Sequence, residues 1–199
     1  MKTSQNSAVH SLLTGLILVT ACLSPLSGWS QSSKPGSVEY LNLCNGIGNL
    51  LLGQNIKDLP AGNLSYLDGD SRIDQDSCLK YQYHDENLMA LGDSLSLDAI
   101  GLRTYHDKIV NIYLFFKICD AYKVLSNFLK AYGPCTSRPN DYADIYNWDT
   151  NQLSLSLRYE VKTDLGVAIF TSRDLESRII ANKTNQGIST YGQSLSALR

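Results

Sequence analysis

The residues with the most evident chemical potential form a repeated triplet, Tyr83-His84-Asp85 and Tyr105-His106-Asp107. Two imidazoles and two carboxylates gathered at one end of a sheet could hold a metal or exchange protons. Each triplet also has the composition of a polar turn at a strand end, and that reading is preferred. Asp68, Asp70, Asp74 and Asp76 offer oxygen ligands for calcium, yet Arg72 falls where an EF-hand loop needs a ligand. The segment therefore reads as a solvated acidic loop. No metal and no cofactor is implied.

Gly92-Asp93-Ser94-Leu95, in the context LMALGDSLSLD, resembles the nucleophile block of GDSL-type serine hydrolases. That resemblance implies a serine behind a buried strand, served by a histidine in a downstream Asp-x-x-His block. A serine hydroxyl is a weak nucleophile until an oriented histidine takes its proton. Here neither His84 nor His106 stands three residues after an aspartate. Arg138-Pro139-Asn140-Asp141 only echoes the family's Gly-x-Asn-Asp block, with arginine in place of glycine. If a strand runs from Ser94 to the turn at His106, about 30 Å separates the two side chains. The chain is read as non-catalytic, with Ser94 in a turn.

Four cysteines, Cys44, Cys78, Cys119 and Cys135, follow a leader-like N-terminus and predict two disulfides in an oxidising compartment. A helix expected between Cys119 and Cys135 would hold them roughly 20 Å apart, beyond disulfide reach. Cys119 is therefore expected to pair with Cys44 or Cys78. No two of the four have the close spacing of a zinc site.

The leader itself spans residues 1–30: Lys2, then the apolar run Leu12 to Ala21, then Pro25 and the small residues Gly28 and Ser30. Cleavage before Gln31 would release a soluble periplasmic or secreted protein. Val19-Thr20-Ala21-Cys22 resembles a bacterial lipobox, and that route would acylate Cys22 and tether the chain to a membrane. Residues 31–40 read as a flexible lead-in, 41–172 as one domain with halves at 41–117 and 118–172, and 173–199 as a polar C-terminal segment. The formal net charge of −2 gives no basic patch for nucleic acid.

Within the domain, Leu41 to Leu59 reads as a short helix interrupted by glycines and stopped by Pro60, and Ala61 to Ser77 as a loop. Leu79 to His84 reads as a strand, and Asp93 to Tyr105 with Lys108 to Lys117 as a hairpin turning at His106-Asp107. The clearest helix is Cys119 to Tyr132, with Ala121, Leu125, Phe128 and Tyr132 at helical spacing, Tyr122 and Leu129 widening the stripe, and Gly133-Pro134 ending it. Tyr142 to Trp148, Leu153 to Val161 and Leu165 to Thr171 read as strands. These elements predict an α+β fold, an antiparallel sheet packed on one main helix. Helix followed by three strands occurs twice, an internal echo.

That element order, with Leu52-Gly53-Gln54-Asn55-Ile56 near the start, resembles the β-lactamase-inhibitor-protein-like group, which includes small outer-membrane assembly lipoproteins. The resemblance implies binding of a protein surface. Twelve tyrosines against four phenylalanines point the same way, since tyrosine is enriched at protein interfaces. Tyr142, Tyr146 and Trp148 share one strand parity, as do Tyr81 and Tyr83, and these five are the binding-surface candidates. The expected function is exported, non-catalytic binding of a protein or envelope component. An envelope assembly lipoprotein and a GDSL-type esterase are the alternatives.

Overall fold

An extended Ser37 leads into the first helix, α1 (Val38–Cys44), and Asn45 in the left-handed region (φ 47°) stops it. The computed structural model describes residues 34–67, 78–90, 95–139, 144–160, 164–182 and 184. The sequence suggested a helix over Leu41 to Leu59; it ends much earlier because Gly46 and Gly48 also take positive φ. The chain then folds into a two-stranded hairpin, β1 (Gly46–Ile47) and β2 (Leu50–Leu51), followed by two single 3₁₀ turns. The lead-in is anchored at its end, where the Gly36 N–H donates to the Ala131 carbonyl at 2.8 Å.

One strand was missed in the supposed loop: β3 (Leu64–Leu67), which pairs antiparallel with β4 (Lys80–Tyr83). A one-turn helix, α2 (Glu86–Met89), follows, capped by the Asp85 carboxylate on the N–H groups of Asn87 and Leu88. β5 (Ala99–Tyr105) and β6 (Lys108–Lys117) form the expected hairpin. His106 (φ 47°) and Asp107 (φ 63°) both lie in the left-handed region, the pair that a tight hairpin turn requires. A bulge between Arg103 and Thr104 shifts the register and reverses the alternation of β6, so that Ile109 shares the face of Ile112 and Val110 that of Tyr105.

A 3₁₀ turn opens the main helix, α3 (Ala121–Tyr132), which buries Ala121, Val124, Phe128 and Tyr132. Tyr122 and Leu129 are exposed and do not widen the stripe. Gly133, at φ 75°, closes the helix, and its N–H bonds to the Leu129 carbonyl. A Cβ there would sit 2.5 Å from the Gly36 carbonyl oxygen, so the same glycine lets the lead-in pass. β7 (Ile145–Asp149), β8 (Leu153–Glu160) and β9 (Leu165–Ser172) complete the sheet. The C-terminal segment is not wholly irregular: residues 173–182 form a helix, α4.

The sheet has seven antiparallel strands in the order β3-β4-β5-β6-β9-β8-β7. This is the α+β architecture that the element pattern implied. Its registers carry an internal symmetry. Tyr83 pairs with Ile100 as Trp148 pairs with Leu155, and Tyr81 pairs with Leu102 as Tyr146 pairs with Leu157. Moving inward, Ile100 opposes Leu114 and Leu155 opposes Phe170; at the centre Leu114 meets Ala168 and Ile112 meets Phe170. Two three-stranded units are thus related by a pseudo-two-fold axis between β6 and β9. α1 and α3 pack against each other. β3 lies outside this repeat, on one edge.

The core sits between that sheet and α1 with α3. Phe128 meets Trp148 and Phe170 edge-on, with ring centroids 5.9 and 6.1 Å apart. Such pairs add about 0.5–1.5 kcal/mol each beyond area burial. Phe116 lies flat on Gly166, where a Cβ would come within 2.1 Å of its ring. The opposite face is covered at one end by α4, through Leu175 and Ile179 on Tyr105, Val110 and Cys78. The Arg103–Glu176 ion pair at 3.1 Å fixes that contact. The described residues form one compact unit. No helix among the described residues is long and apolar enough to cross a membrane.

Candidate functional site

Strand alternation places Tyr81 and Tyr83 on the helix-covered face, two residues apart, with different surroundings. Tyr83 is fully buried, and its hydroxyl accepts from Asn49 (3.2 Å) and donates to Asp85 (3.3 Å). It is a core residue, a correction to its place among the surface candidates, because α2 and the β1–β2 hairpin close over that end of β4. Tyr81 lies nearer the edge and is only partly covered. Its ring meets Tyr66 of β3 edge-on at 5.7 Å. Tyr66 is 58% exposed, and Leu79, on the same parity, is 38% exposed.

This tyrosine pair has a charged rim. Lys57 bonds Asp107 at 2.5 Å, so the β5–β6 turn is held beside the patch. Burial raises the Tyr81 phenol above its ordinary value, and the Asp107 carboxylate and Tyr66 add to the shift. Hydrogen bonding to Asp107 likewise raises the Lys57 ammonium. An aromatic centre with a polar rim is the anatomy of a small protein-binding surface. Sequence reasoning found Tyr81 by its parity but missed Tyr66, which lay in the supposed loop.

The pseudo-two-fold axis carries Tyr81 to Tyr146 and Tyr83 to Trp148. Trp148 has no exposed surface, and its indole N–H donates to the Gly133 carbonyl at 2.8 Å. Its candidacy as a binding residue is overturned by α3, which packs across that strand. Tyr146 stacks on Tyr159 at 6.2 Å, their hydroxyls are 3.4 Å apart, and the Arg138 guanidinium lies 4.6 Å above the Tyr146 ring. Burial, then the Tyr146 hydroxyl, raises the Tyr159 phenol. This second group is already occupied by its own contacts. Tyr142 lies outside the described residues.

The two Tyr-His-Asp triplets are not brought together. His84 follows β4 and His106 sits in the β5–β6 turn, at opposite ends of β5, roughly 20 Å apart along a strand. Asp85 is engaged as a helix cap. An open polar groove of about 760 Å³ runs past His84 and Glu86 to Ala90 and Ser96. Ser94 and the acidic run from Asp68 to Asp76 lie outside the described residues. So do Cys22 and the rest of residues 1–30.

Cys44, Cys78, Cys119 and Cys135 are all free thiols, so the two expected disulfides are not formed in this structure. Cys44 and Cys135 border the main core, whereas Cys78 lies with the α4 cluster on the other face of the sheet. Cys119 is exposed at the start of α3. The sheet therefore stands between Cys78 and both Cys44 and Cys135. No family model, curated protein or solved structure matches this chain.

Proposed function

We propose that the chain is an exported, non-catalytic domain that binds a protein or another envelope component through the aromatic edge at β3–β4. The observation that carries this reading is the grouping of Tyr66, Leu79 and Tyr81 on one side of an edge, whereas Tyr146, the pseudo-two-fold equivalent of Tyr81, is engaged by Tyr159 and Arg138. Tyr122 on α3 is also exposed, and a single apolar side chain at a surface is common. The element-order likeness to the inhibitor-like group is a further reason to favour a binding role. Leader processing at Gln31 or acylation of Cys22 would change the tether and leave this surface intact.

Site-specific photocrosslinking in an exporting host tests the reading. A benzoyl-phenylalanine at position 66 should give a discrete adduct that Tyr81→Ala weakens, and the same probe at position 122 should not. Equal labelling at both positions, or none at 66, overturns the assignment.

A further inference from the structure

The backbone of β3 specifies more about the partner than its side chains do. The His84 N–H donates to the Asn63 carbonyl and the Thr104 N–H to the Leu79 carbonyl, both at 2.8 Å. With the β3–β4 register, this parity turns the main-chain groups of Ser65 and Leu67 toward β4 and those of Leu64 and Tyr66 outward. The Leu64 N–H is satisfied by the Ala61 carbonyl. The Leu64 carbonyl and both main-chain groups of Tyr66 remain on the outer side, where no described strand pairs with β3.

The opposite edge of the sheet is treated differently. Residues 136 and 137 cover β7: the Thr136 N–H donates to the Asn147 carbonyl at 2.7 Å, and the Asn147 N–H to the Ser137 carbonyl at 3.0 Å. The Thr136 hydroxyl accepts from the Asp149 N–H at 2.9 Å. On β7 both outward groups of Asn147 and the outward N–H of Asp149 are therefore paired. β3, Leu64-Ser65-Tyr66-Leu67, carries no lysine, proline or bulge, the usual protections of an open edge.

Resting on the protein-binding reading above, we propose that β3 receives an extended segment of the partner polypeptide as an added strand. Main-chain donors and acceptors at strand spacing recognise another backbone, so the occupant is a peptide segment of about four or five residues. Its side chains alternate between the Tyr66–Tyr81–Leu79 surface on one face and Leu67 with Lys80 on the other. Apolar or aromatic residues at every second position of the segment fit this edge.

A displayed library of linear peptides, selected on the chain, supplies the probe. Tyr66→Pro removes the outward N–H without taking a bond from the β3–β4 ladder, and Tyr66→Phe keeps both backbone and ring. Selected peptides should lose about tenfold or more in affinity for Tyr66→Pro and little for Tyr66→Phe. Where Tyr66→Pro melts below the parent protein, N-methylation along the peptide gives the second reading: affinity should fall at alternate residues only. Equal binding to all variants with no N-methyl periodicity overturns strand addition, as does failure to select any peptide. A dimer on size exclusion that Tyr66→Pro dissolves would assign the edge to a second copy and likewise overturn it. If the position-66 crosslink forms but strand addition fails, the binding surface stands and acts through side chains; if neither is seen, both readings fall.

Discussion

Trp148→Phe is expected to destabilise the domain by about 2–3 kcal/mol. The phenyl ring is roughly 40 Å³ smaller than indole, which at ~24 cal/mol per Å³ of residual cavity costs about 1 kcal/mol. The substitution also removes the indole N–H that meets the Gly133 carbonyl at 2.8 Å, in a fully buried site. Leaving that acceptor unpaired adds about 1–2 kcal/mol. For a domain of this size each kcal/mol lowers Tm by roughly 2–4 °C, so the fall should be about 4–12 °C by far-UV circular dichroism. Trp29 and Trp148 are the two tryptophans, so in a chain cleaved before Gln31 the fluorescence reports Trp148 alone. Its emission should be blue-shifted and insensitive to iodide. A Tm within 2 °C of the parent, together with a red, quenchable emission, would refute the buried position and return Trp148 to the surface.

Two further outcomes follow from the same geometry. Thiol titration of the native protein should find Cys119 reacting first, with Cys44, Cys78 and Cys135 appearing on unfolding; an unfolded, unreduced protein with no reactive thiol would show that bridges form after all. Burial raises the Tyr132 phenol above its ordinary value of 10.0. A raised folded-state pKa favours the protonated form, so its stabilisation is complete below pH 10 and is lost as pH climbs through the raised value. Denaturant melts should therefore weaken above about pH 10, less steeply in Tyr132→Phe; identical pH profiles for the two proteins would contradict the buried phenol.

The legible parts of this fold were those set by contacts close in sequence. The turn at His106-Asp107, the period-two alternation of β8 and the helical stripe ending at Gly133-Pro134 depend on local backbone preferences and side-chain periodicity, and all three appear near their expected places. The twofold pattern of helix and strands was also visible as element order. Its register was not, because strand pairing joins residues far apart in the chain. Parity correctly grouped Tyr81 with Tyr83 and Tyr146 with Trp148, but it could not tell which member would be covered.

That decision belongs to the layers above the sheet. α3 lies over Trp148, and α2 with the β1–β2 hairpin closes over Tyr83, whereas no described element covers Tyr66. β3 itself was lost in a polar, glycine-containing stretch, since a four-residue edge strand with one apolar face carries little periodic signal. α4 was hidden for a similar reason: two apolar side chains, Leu175 and Ile179, suffice to dock it once the bulge turns Val110 toward them. The cysteine count suggested bridges, yet which thiols can meet depends on the sides of a sheet that does not exist until distant strands pair. Sequence thus determined the kinds of element and the faces they offer; tertiary packing alone decided which faces are buried, because burial is a property of what lies opposite.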